Sequence, residues 1–100
     1  MPKPKPYRLH PEAWIEFEAA DDWYFSRSFD ASVAFLSDVF GALENISEAP
    51  RRWPKYLHGT RRFILHRFPF SIVYLDDPDL VTIIAVAHSK RKPGYWKGRV

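Results

Sequence analysis

The sequence predicts an α+β domain in the order β-α-α-β-β-β, with an antiparallel meander packed against a helical hairpin. Two observations carry that expectation. Apolar residues recur at helical spacing between residues 11 and 49, and beyond residue 60 the pattern turns to short apolar runs separated by proline and aspartate turns. One hundred residues provide one core, so the two halves must be layers of a single domain spanning 1–100.

"KPYRLH" reads as a short first strand with Tyr7 and Leu9 on one side. Pro11 suits the first turn of a helix, where its missing N–H costs nothing, and Glu12 favours the positive helix end. Ala13, Phe17, Ala20 and Tyr24 follow at helical spacing. The helix should break around Ser28 to Asp30, either of which is suited to cap a second helix. In that second helix Phe29, Val33, Leu36, Phe40 and Leu43 recur at 4-3-4-3 intervals, a stripe expected to face the core, with Ser37, Asp38, Glu44 and Asn45 opposite. Ala49-Pro50 ends it.

After the basic loop "RRWPKYLHGT", the runs "RRFILHRF" and "FSIVYL" read as strands with a bend at Pro69. "DDPD" is a turn, and "LVTIIAVAH", apolar on both faces, is expected to be a central strand. Simple alternation puts Thr82, Ile84, Val86 and His88 on one face of it. On the earlier strand the same rule groups Arg62, Ile64 and His66, and separately Arg61, Phe63, Leu65 and Arg67.

Hydrophobic residues make up 46% of the chain, which marks it as globular, and no cysteine is present to form a disulfide or a thiolate metal site. The N-terminus lacks the apolar stretch of a signal peptide, and no apolar run approaches the ~18 residues that would cross a membrane. A soluble, cytoplasmic domain is therefore expected, with no membrane partner. The four histidines show no paired ligand spacing, so neither metal nor small-molecule cofactor is implied.

The net charge of +3 conceals an asymmetry. Residues 1–50 carry four Lys or Arg against nine acids, net −5, and residues 51–100 carry eleven against three, net +8. Arg51 to Phe68 and His88 to Val100 contain no acid at all. A basic half of this kind suits a polyanion or an acidic protein partner.

In a meander the tip of the last strand lies near the strands beside it. A pocket edged by Arg62, His88, Arg91, Tyr95 and His66 is then geometrically allowed. Such a group could cleave RNA without a metal: histidine as acid or base, arginine gripping phosphate in a fixed fork, Tyr95 or Trp96 stacking on a base. Arg61, His66, Arg67, Lys90 and Lys92 would line the approach for a nucleic acid or other target. The plainer reading has His88 ending a strand, Trp96 latching the tail to the sheet, and Lys97 and Arg99 as solvated charges.

The "HPEA" opening of the first helix, "RFPFSIVY" and above all "AVAHSKRKPGYW", with the pattern His-x-x-Arg-x-Pro-x-x-Trp, resemble the RelE/ParE superfamily of type II toxins over nearly the whole chain. That resemblance implies a small toxin neutralised by a cognate antitoxin protein. It also implies one of two targets: the ribosome with its mRNA, cleaved by RelE-like metal-independent endonucleases, or DNA gyrase, inhibited by ParE-like members that are not enzymes. Arg62, Arg91 and Tyr95, with His88, match the positions that RelE-like ribonucleases use. Ile64 and Ser71 stand where those ribonucleases tend to carry cations, and the arginine-to-tyrosine spacing is shorter. A third reading is a degenerate member retained as a binding module.

Overall fold

In the computed structural model, which describes residues 3–100, the elements run β1 (Tyr7–Leu9), α1 (Pro11–Arg27), α2 (Phe29–Glu48), β2 (Arg61–Ile64), β3 (Phe70–Asp76) and β4 (Val81–His88). The sheet order is β1-β4-β3-β2. β2, β3 and β4 form the expected antiparallel meander, and β1 pairs with β4 in parallel, Tyr7 opposite Val81 and Leu9 opposite Ile83. β4 is therefore central, as its apolar composition on both faces requires.

Local chemistry sets the helix boundaries. His10 caps α1: its ring Nδ1 accepts the N–H of Glu12 at 3.1 Å, and Pro11 occupies the first helical position. A single residue joins the helices. Ser28 donates its own N–H to the Tyr24 carbonyl at 2.9 Å, ending α1, and its hydroxyl accepts from Ala31 N at 3.3 Å, starting α2.

The face that α2 buries differs from the one expected. Ser32, Phe35, Val39, Ala42 and Ile46 are buried, and this 3-4-3-4 series is as regular as the expected stripe. Leu43 is buried and Leu36 packs partly against the core, but Phe29 is 65% exposed and Val33 and Phe40 are 48% exposed. Two apolar stripes fit one helix, and packing chose the one whose small residues, Ser32 and Ala42, allow close approach. The Ser32 hydroxyl donates to Asp21 at 2.6 Å, tying α2 to α1. Phe35, fully buried, meets Phe17, Tyr24, Phe68 and Phe70 in the aromatic centre of the core.

Two departures in the sheet decide where the site residues point. β2 ends at Ile64, and 66–69 form a bend that carries Phe68 back under the helices to Tyr24 and Phe35. In β4, Tyr74 opposes Ile83 while its neighbour Val73 opposes Ala85, so Ile84 is an extra, bulged residue. The bulge inverts the alternation. Val81, Ile83 and Val86 face the helices, while Ile84 and Ala85 both join Val73 and Trp96 on the opposite face. The expected grouping of Thr82 and Ile84 with Val86 and His88 fails for this reason.

Candidate functional site

The second face of the sheet, away from the helices, carries a cavity of about 210 Å³. β2 supplies Arg62, β3 supplies Ser71, and the segment after β4 supplies Arg91, Lys92 and Tyr95. Trp96, 1% exposed, closes the floor against Val73, Ile84 and Ala85, which is the latch expected of it. Gly94 adopts φ +83°, and the turn it makes lets the tail fold back beside Leu57 and His58. The tail is held rigidly at the tip of the central strand.

Each guanidinium in this cavity rests on an aromatic ring. Arg62 Cζ lies 4.1 Å from the Tyr56 ring centroid and Arg91 Cζ lies 3.7 Å from that of Tyr95. Stacking fixes the planes of both cations and leaves their N–H edges for an anion. The side chain of Arg91 remains 53% exposed.

Beneath Arg91 lies Glu16 of α1, a residue that the sequence reading passed over. Its side chain is 13% exposed and accepts from the Tyr95 hydroxyl at 2.6 Å, from Arg99 Nη1 and Nη2 at 2.9 and 3.0 Å, and from the backbone N–H of Val86 at 3.0 Å. Arg99 also donates to the Ile84 carbonyl at 3.1 Å. β1 pairs with β4 only as far as Ile83, so these two side chains satisfy the strand edge beyond it. Arg99 is thus a structural ion-pair partner rather than the solvated tail charge expected. The one available signal was a carboxylate at position 16, beside Phe17 and between Ala13 and Ala20 on the core stripe.

Burial raises the Tyr95 hydroxyl well above the usual phenol range, and the hydrogen bond and charge of Glu16 raise it further, against the pull of Arg91 and Arg99. That proton is committed to Glu16. His88 sits at the rim, its ring edge-on to Phe70 at 5.0 Å, and its Nδ1 accepts the Lys90 N–H at 3.0 Å. Among the described residues no group of three His, Asp or Glu side chains is placed to hold a metal ion.

The structure gathers Arg62, His88, Arg91, Lys92 and Tyr95 around one cavity. It places other sequence-derived candidates elsewhere. His66 lies in the bend after β2, on the helix side with Arg67. Arg67 pairs with Asp38 of α2 at 2.6 Å. Arg61 donates to the carbonyls of Arg51 and Trp53 and so braces the loop before β2. Lys90 is exposed in the turn after β4. Tyr56 is an addition that only the fold reveals, and Ile64 and Ser71, the positions where ribonuclease members tend to carry cations, line the same cavity.

Comparison with known proteins agrees with this architecture. A solved structure described as the chromosomal ParDE TA system from P. aeruginosa superposes with a TM-score of 0.74 at 16% identity, covering 86% of this chain and 97% of that one. No curated protein matches. The family model described as the ParE toxin of the type II toxin-antitoxin system, parDE, matches residues 7–93. With strand order, basic tail and family model in agreement, the chain belongs to the ParE toxin family of type II toxin-antitoxin systems.

Proposed function

We propose that this protein arrests growth by binding DNA gyrase stoichiometrically, and that a cognate antitoxin protein neutralises it. The observation that carries this reading is the commitment of the Tyr95 proton to structure. The Tyr95 hydroxyl donates to Glu16, and the His88 ring packs on Phe70 with Nδ1 occupied. The cations at the cavity are Arg62 and Arg91, each lying over an aromatic ring, with Lys92, groups that bind an anionic surface without moving protons, and His88 stands at the rim. Cleavage of RNA needs a base and an acid aligned with the attacking and leaving oxygens.

Arg91 is the principal contact on this reading. Arg91→Ala removes a charge-assisted hydrogen bond, worth ~1.5–3 kcal/mol, and should weaken gyrase inhibition roughly 10- to 100-fold with the fold intact. The test is induced expression with and without the neighbouring antitoxin gene, supercoiling by purified gyrase, and primer-extension mapping of cellular mRNA. Arrest with inhibited gyrase and intact transcripts supports the proposal. Transcripts cut in a manner dependent on Arg91 would replace it with ribosome-dependent mRNA cleavage. Normal growth at high levels of folded protein would leave a binding module that has lost its toxicity.

A further inference from the structure

A second cavity, about 540 Å³, opens at the edge strand β2. Arg51 and Lys55 of the loop before β2, with Arg61 of β2 itself, bring three cations to it. Tyr56 lines both this cavity and the one that holds Arg62, Arg91 and Lys92, so the two meet at a single residue. Arg61 is fixed by the carbonyls of Arg51 and Trp53, while the side chain of Arg51 is 88% exposed. The one acid in the lining is Asp76, whose Oδ1 accepts from Lys5 at 2.6 Å and is neutralised there. Among the described residues the first cavity has no acid in its lining.

Six cations in two adjoining cavities suit a chain of phosphates better than a single anion. The aromatic rings beside them select the kind of chain. Unpaired strands are held by stacking their bases on open aromatic faces. Here the Tyr56 ring carries Arg62 at 4.1 Å and packs against Trp96 at 6.0 Å. The Tyr95 ring has Arg91 at 3.7 Å and Arg99 at 5.2 Å, and Trp96 is 1% exposed. The base-stacking platform expected of Tyr95 or Trp96 is therefore occupied by the protein's own side chains. A duplex keeps its bases stacked on one another and presents only its backbone, for which cations suffice.

We propose that the β2 edge binds the phosphate backbone of duplex DNA through both cavities at once, without reading its bases. As an account of toxicity this rests on the gyrase reading above and deepens it: the cations meet the DNA that gyrase holds. The binding itself is a property of the isolated protein and is tested without gyrase.

The probe is a fluorescent duplex DNA of mixed sequence, about two helical turns long, titrated with the full-length protein by anisotropy over a range of salt. Six phosphate contacts at ~0.9 each imply a log–log salt slope near −5, and the Kd should lie at ~10⁻⁶–10⁻⁴ M near physiological salt. Arg51→Gln with Lys55→Gln, and separately Arg62→Gln with Lys92→Gln, should each reduce the slope by about 2. Lys92→Gln alone, at an exposed position, should reduce it by about 1 and guards against a folding defect in the Arg62 variant. Arg8→Gln with Arg27→Gln removes the same charge from exposed positions on β1 and α1 and should leave the slope unchanged. A single strand of the same length should bind about tenfold more weakly. An equal loss in the Arg8 and Arg27 variant, an effect from only one cavity, or a single strand or poly-glutamate bound as tightly as the duplex would each overturn the proposal. Loss of gyrase inhibition with these slopes intact would remove the target proposed above and leave the DNA site standing.

Discussion

Glu16 and Arg99 form the most heavily buried ion pair of the site, with side chains 13% and 14% exposed and two contacts at 2.9 and 3.0 Å. Removing one member of such a pair leaves an uncompensated charge out of water, which costs ~3–5 kcal/mol when burial is complete. Residual exposure of both partners places Glu16→Ala near the low end, at about 3 kcal/mol. For a domain of this size that corresponds to a fall in Tm of roughly 12–24 °C. Glu16→Gln keeps one acceptor oxygen, enough for the Val86 N–H while the Tyr95 hydroxyl turns to accept from the new amide group, and should cost less, about 1–2 kcal/mol. A double-mutant cycle of Glu16→Gln with Arg99→Met, read by urea denaturation, should return a coupling energy of about 2 kcal/mol. The matching cycle with Arg91→Met should return under ~0.5 kcal/mol, because Arg91 is 53% exposed and 3.5 Å away. Equal couplings in the two cycles, or none with Arg99, would refute the argument that the tail is fixed by one buried carboxylate.

Two further outcomes are expected. Burial raises the Tyr74 hydroxyl to about 12, with Arg61 opposing and Asp76 adding, and Tyr95 is raised further. Both lie above the unfolded value of ~10, so their stabilisation is complete below pH ~10 and is lost as the pH climbs through the folded values, the unfolded chain ionising first. Unfolding free energy should therefore fall above pH ~10, and less steeply in Tyr95→Phe; a flat profile there would contradict the burial of these hydroxyls. On α2, Phe40→Ser, which loses an edge-on contact with Phe17, should cost ~1–2 kcal/mol while Phe35→Ala costs ~3–5 kcal/mol. The reverse order by chemical denaturation would show that the helix buries its other stripe.

The sequence by itself determined the number and order of elements, the break at Ser28, the centrality of β4 and the basic, aromatic character of the tail. Each of these follows from interactions between residues near in the chain: capping, periodicity, proline and glycine chemistry, and total apolar content. The positions of Arg62, Arg91 and Tyr95 around one cavity were legible for the same reason, since a meander brings its strand tips together whatever the details. The tertiary structure alone decided which of two equally regular stripes α2 buries, because that choice depends on packing against the other elements, where Ser32 reaches Asp21 of α1 and Ala42 is buried. It alone placed the bulge at Ile84, which moves Val86 to the helix face and Ile84 beside Trp96, an inversion that period-two reasoning cannot anticipate from one strand. It also made Glu16 and Arg99 partners across 83 residues of chain. β1 is too short to cover the edge of β4, and the unpaired backbone groups of that edge had to be satisfied by whichever side chains the fold brought there.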